Sequence, residues 1–170
     1  MKFIGREQEQ FGQEKYVVEM NDHEKSLFLA ILSLFPQVPV GHHQLSQGAD
    51  LPNAGTNQLL LEESLKTQKN EAQAWIKSTF KDPHRFQPVK TGETGFSFHL
   101  AVTRPEIEML LQIFNDVRLG CWLTLGSPDL AEKKKKFSPT QQTAPLIQRM
   151  ELAGLFEVFF IKFIHEPDVQ

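Results

Sequence analysis

Between Thr103 and Asp129, apolar side chains recur every three or four residues: Ile107, Leu110, Leu111, Phe114, Val117, Cys121, Trp122 and Leu125. That period predicts an amphipathic helix. Its ends are marked too. Thr103, with Glu106 three residues later, makes a capping-box pattern. Pro105 falls in the first turn, where a missing N–H costs nothing, and Gly126 and Pro128 supply the stop. Stepping about 100° per residue places Arg118 among Ile107, Phe114 and Leu125 on the apolar face, with Asp116 opposite and Asn115 on the border.

The same reading runs along the rest of the chain. Residues 1–20 predict a hairpin, from the short runs Lys2–Ile4 and Tyr16–Met20 around a polar, glycine-containing stretch. Asn21 and Glu24 form a second capping box ahead of Leu27, Phe28, Ile31, Leu32, Leu34 and Phe35, a helix that Pro36 and Pro39 end. Residues 36–57, rich in Pro, Gly and polar side chains, predict a long surface loop. Leu59–Phe80 predicts a helix that buries Leu61, Leu65, Ala72, Trp75, Ile76 and Phe80 and breaks at Asp82-Pro83. Residues 83–95 show no period and read as irregular, whereas Phe96, Phe98, Leu100 and Val102 alternate strictly and predict a short strand near 96–102.

Residues 130–137 read as a polar connector, and Ser138, Pro139 and Gln141 form a third capping signature. The final element, Pro145–Ile164, is apolar on nearly every side, as a helix inside a bundle would be. The spacing of Leu146, Met150 and Ala153 favours helix throughout, while Gly154 leaves open an aromatic-rich strand over 155–164. The expected fold is mainly α, a bundle of about four helices with a small β element, as one domain over residues 1–170.

Composition changes this picture little. A chain of 170 residues can bury a full core without staples. A net charge of −3 favours no partner class and argues against a dedicated nucleic-acid binder. The single cysteine, Cys121, leaves no internal disulfide or multi-cysteine metal site. On an apolar helix face it reads as a buried hydrophobe of a reducing compartment rather than a reactive thiol. The opening MKFIGREQEQ lacks the apolar core of a secretory signal. Leu152–Ile164 is the most apolar stretch, but at about 13 residues, with Glu157 and Lys162 inside it, it is too short and too charged to span a bilayer. A cytoplasmic protein with no membrane partner is the expectation.

The candidate chemistry centres on Arg118. An arginine on an apolar face cannot easily neutralise itself and needs a partner. On the wheel of the last helix, Glu157 falls on the direction of Leu146 and Ile164. A guanidinium held inside the bundle by a carboxylate is therefore expected, with Glu157 the first choice, Glu24 the second and Asn115 nearby. The plainer alternative packs the arginine stem and leaves its head in water. The histidines carry no HExxH or other ligand spacing: His42 and His43 are adjacent in a loop, and His84, His99 and His165 are scattered. No GxSxG surrounds a serine, Cys121 has no catalytic signature, and the GETG at Gly92–Gly95 is a turn without the lysine of a phosphate loop. No cofactor, metal or catalytic residue is expected. Lys133, Lys134, Lys135 and Lys136 could touch an anion or nucleic acid, but Asp129 and Glu132 offset them and no aromatics interleave.

The segment LLQIFNDVRLGCWLTLGSPD, through Asn115, Asp116, Arg118, Leu119, Gly120 and Leu123, resembles the C-terminal half of a small helical bacterial family, domain of unknown function number two-zero-one-seven. The stretch NDHEKSLFLAIL, with Glu24 and Lys25, resembles that family's first helix. The resemblance runs over residues 15–165 with gaps and departs from the pattern at His42–Asn57 and Pro83–Gly95. It implies a mainly helical cytoplasmic domain with no catalytic residues to carry over. Genes of that family are often found beside that of the Clp protease adaptor, so the resemblance implies a place near regulated proteolysis. The leading reading is thus a non-enzymatic interaction or adaptor module with a protein partner, homo-oligomers included. A DNA-associated regulator with a winged-helix-like element, built if 155–164 is a strand, is the alternative. A small enzyme using a buried Arg118 site is the third.

Overall fold

A computed structural model describes residues 1–8, 14–43, 53–91, 95–127 and 140–165. In chain order the elements are β1 (Lys2–Gln8), β2 (Glu14–Met20), α1 (Asp22–Leu32), α2 (Ala54–Lys81), β3 (Phe86–Thr91), β4 (Gly95–Thr103), α3 (Arg104–Thr124) and α4 (Ala144–His165). The strands form one sheet in the order β1-β2-β4-β3, with every neighbouring pair antiparallel.

This corrects the expectation of a mainly-α bundle with a small β element. Among the described residues the fold is mixed: four helices and a four-stranded antiparallel sheet that forms a layer of its own. Two physical causes hid the sheet. β3 is an edge strand whose Pro88 gives no ladder hydrogen bond and whose only buried side chain is Phe86, so it shows no apolar alternation. The hairpin joins the sheet through pairs remote in sequence, Tyr16 with Val102, Val18 with Leu100 and Met20 with Phe98. No local pattern reports such pairing.

Those side chains make the inner face of the sheet, and α1 and α3 pack on it, with α4 lying along α3. Phe163 of α4 reaches β1, its ring 4.7 Å from that of Phe3. At the centre, Phe28 of α1 is fully buried among the rings of Phe80, Phe86, Phe114, Phe156 and Phe160, at centroid distances of 5.5 to 6.3 Å. Most of these contacts are edge-on, the arrangement the ring quadrupoles favour.

Two helix starts are as the sequence predicts. Asn21 and Glu24, and Thr103 and Glu106, each make both bonds of a capping box. Glu106 also accepts from Arg85 Nη2 at 2.7 Å, tying the turn after α2 to the start of α3. α1 stops at Leu32, short of its prolines. α3 leaves through Gly126 at φ +81°, a conformation that suits glycine. α2 begins at Ala54, inside the expected 36–57 loop, and Val40–His42 forms a 3₁₀ turn there. The 130–137 connector, its four lysines and the Ser138-Pro139 signature lie outside the described residues.

α4 runs as helix to His165, so the strand alternative for 155–164 is excluded. Gly154 does not end it. A Cβ at Gly154 would lie 3.6 Å from Arg118 Cδ, an ordinary contact distance, so the arginine stem passes beside this glycine without requiring it. α2 is the least embedded helix: among its described side chains only Ala72 is buried, and Leu61, Leu65, Trp75, Ile76 and Phe80 are half-buried.

Cys121 is 1% exposed, and burial pushes its thiol up, with Arg149 pulling weakly the other way. We expect the folded protein to resist an aromatic disulfide reagent that reacts fully once urea unfolds the chain. Equal rates in the two states would contradict this packing.

Candidate functional site

α3 presents Asn115, Asp116 and Arg118 within one turn, and Asp116 and Arg118 bind different parts of the fold. Arg118 Nε lies 3.0 Å from Glu157 Oε2 on α4, and its Nη2 donates to Asn115 Oδ1 at 3.0 Å. The pairing with Glu157 is as anticipated, but the burial is not. The Arg118 side chain is 48% exposed, against 19% for Glu157. The buried stripe of α3 is Ile107, Leu110, Ile113, Phe114, Val117, Gly120 and Cys121. Counting Leu111, Trp122 and Leu125 as core, and omitting Ile113 and Gly120, turns the apparent face toward Arg118. The real stripe is turned toward Asp116, which leaves Arg118 at its border with its stem over Gly154 and its head at the surface. An ion pair this exposed stabilises by about 1 kcal/mol at most.

Glu24 is not a partner of Arg118. Its Oε2 accepts from the Asn21 N–H at 2.9 Å, and its Oε1 pairs with the Met1 amine. Burial raises the Glu24 pKa, but the hydrogen bonds from the amine and from Asn21, with the amine's charge, outweigh it and hold the carboxyl below its ordinary value.

The strongest polar cluster is one the wheel had turned to solvent. Asp116 Oδ1 accepts from the backbone N–H of Gln37 at 2.6 Å and of Val38 at 3.2 Å. Its Oδ2 lies 2.6 Å from Lys69 Nζ on α2, and the same ammonium donates to the Val38 carbonyl at 2.6 Å. Both side chains are only 12% exposed. One carboxylate thus joins α3, α2 and the segment that follows α1. Two sequence signals point to it. Lys69 falls between Leu65 and Ala72, in the predicted inner stripe of α2, where an ammonium needs a partner. The PQVPV segment cannot pair its N–H groups in regular structure, so they need an acceptor elsewhere.

Gly120 completes the arrangement. A Cβ there would lie 2.2 Å from Gln37 Cβ and 2.9 Å from the Gln37 carbonyl carbon. Only a bare Cα lets the 35–38 segment approach α3 closely enough for Asp116 to hold it. Gly120→Ala is expected to destabilise by about 1–3 kcal/mol through this overpacking. A urea titration checks it, and an unchanged midpoint would show that the segment moves aside freely.

Two open spaces flank the turn, and Asn115 and Leu119 line both. A cleft of about 230 Å³ lies between α2, α3 and the 35–43 segment, walled by Phe35, Val38, Leu65 and Ile113 with Lys69 and Asp116 at its edge. A groove of about 520 Å³ lies between α3 and α4, walled by Leu119, Trp122, Met150 and Gly154 with Asn115, Arg118 and Glu151. Neither assembles a nucleophile with a base. The Asp116 carboxylate already takes three donors, and the Lys69 ammonium already gives two hydrogen bonds. His42 and His43 stack edge-on at 5.7 Å on the exposed 3₁₀ turn.

No family model, curated protein or solved structure matches the chain. Among the described residues no helix is long and apolar enough to cross a membrane. The winged-helix-like element loses its strand, because residues 155–164 are part of α4.

Proposed function

We propose that this chain is a non-enzymatic protein-interaction module of the cytoplasm. The polar groups of its most distinctive segment are occupied in joining helices, which leaves surface features that folding does not explain. One observation carries the reading. Leu59 and Leu60, at 68% and 59% exposed, stand bare near the start of α2, the least embedded helix. Glu62 and Glu63 follow after the half-buried Leu61. An apolar step beside carboxylates suits an amphipathic, basic segment of a protein partner.

The test is affinity capture from native lysate with the wild type and with a Leu59→Ser/Leu60→Ser variant. Both positions are exposed, so the variant should keep its circular dichroism spectrum. The reading expects a partner held by the wild type and lost by the variant; an identical capture profile would overturn it. The link to regulated proteolysis rests on the resemblance through Asn115, Asp116, Arg118, Leu119, Gly120 and Leu123, and it expects the Clp machinery among the captured proteins.

The open groove beside Arg118 favours one second reading, a small-ligand site there. It expects a small carboxylate to raise the melting temperature of the wild type but not of Arg118→Met. No shift in either removes it.

A further inference from the structure

The outer side of α4 carries large apolar side chains in water. Leu155, Val158 and Ile161 are 67%, 55% and 38% exposed, on a helix whose opposite side buries Ala153, Phe156, Phe160 and Phe163. Glu151 and Lys162, also exposed, bracket them. Positions 151, 155, 158 and 162 are spaced four, three and four, so Glu151, Leu155, Val158 and Lys162 form one stripe along the helix.

That stripe is complementary to itself. Glu151 precedes Leu155 by the same four residues by which Lys162 follows Val158. Turned end for end, it shows the same apolar centre with the two charges exchanged. We propose that α4 pairs antiparallel with α4 of a second copy, about a twofold axis passing between Leu155 and Val158. Leu155 then meets the partner's Val158, and Glu151 meets the partner's Lys162, each contact occurring twice. An isologous interface requires this reciprocity. A partner other than a second copy would not need it. With both charges matched, no ion is left unpaired when the centre loses water.

One helix per copy makes an interface below about 1,200 Å², the small end of specific contacts, so the dimer is reversible. This goes beyond the reading above, since it uses a different helix from the Leu59–Leu60 step and either surface can fail alone.

Sedimentation velocity from about 1 µM to about 1 mM reads the equilibrium directly. The wild type should pass from monomer to dimer. Glu151→Lys places like charges opposite each other twice, and should weaken the dimer by about tenfold or more; Lys162→Glu should do the same. The double variant Glu151→Lys/Lys162→Glu should regain the wild-type dissociation constant, because the exchange is symmetric. Leu155→Ser should leave only monomer. All three substituted positions are exposed, and unchanged circular dichroism would exclude unfolding as the cause. A wild type that stays monomeric throughout would overturn the proposal. So would a dimer that single charge reversals leave intact, or one that the double reversal does not rescue.

Discussion

Replacing Asp116 with alanine is expected to lower stability by about 3 kcal/mol, the low end of the cost of breaking a buried ion pair, because both partners keep some exposure to water. The loss has two parts. The Lys69 ammonium, 12% exposed, would keep only the Val38 carbonyl as partner. The N–H groups of Gln37 and Val38 would lose the acceptor that fixes their segment against α3. Asp116→Asn keeps one oxygen for those N–H groups and removes the charge, so it should lose less. Urea unfolding reads the difference as a shift in midpoint at constant slope. A change within about 0.5 kcal/mol, as for an ordinary surface residue, would return Asp116 to the solvent side of α3.

Phe28→Ala should cost about 3–5 kcal/mol, for a different reason. Phe28 is fully exchanged from water into a cage of five rings drawn from α2, β3, α3 and α4. Removing its ring leaves a cavity that four other elements would have to close together, and close-packed interiors relax only in part. At about 2–4 °C per kcal/mol for a chain of this size, the melting temperature should fall by roughly 6–20 °C. A fall of only a few degrees would mean that the core is not centred on α1.

The sequence announces what short-range chemistry decides. The two capping boxes, the span of α3 and the alternation of β4 each depend on residues a few positions apart, and each can be read from the chain, whereas the reach of α4 past Gly154 was left open. The layer architecture cannot. Pro88 and a nearly unburied β3 erase the period-two signal, and the pairing of Tyr16, Val18 and Met20 with Val102, Leu100 and Phe98 spans some eighty positions. The site was half legible. The partnership of Arg118 with Glu157 follows from opposite charges on two apolar helices. An apolar face drawn through Leu111, Trp122 and Leu125, without Ile113 and Gly120, sets Arg118 too deep and turns Asp116 to solvent. Lys69 in an inner stripe was the signal that could have corrected it.

The segment Asn115–Gly120 therefore reads as a clamp: Arg118 reaches α4, Asp116 reaches α2 and the 37–38 backbone, and Gly120 lets that backbone approach. A double-mutant cycle of Asp116→Ala with Lys69→Met tests this most directly, because it isolates the bond between α3 and α2 from the loss of either side chain alone. If the clamp holds, the double variant should be more stable than the two single losses summed predict, by about 1.5–3 kcal/mol. Losses that add to within about 0.3 kcal/mol would show that the two side chains do not act together, and would contradict it.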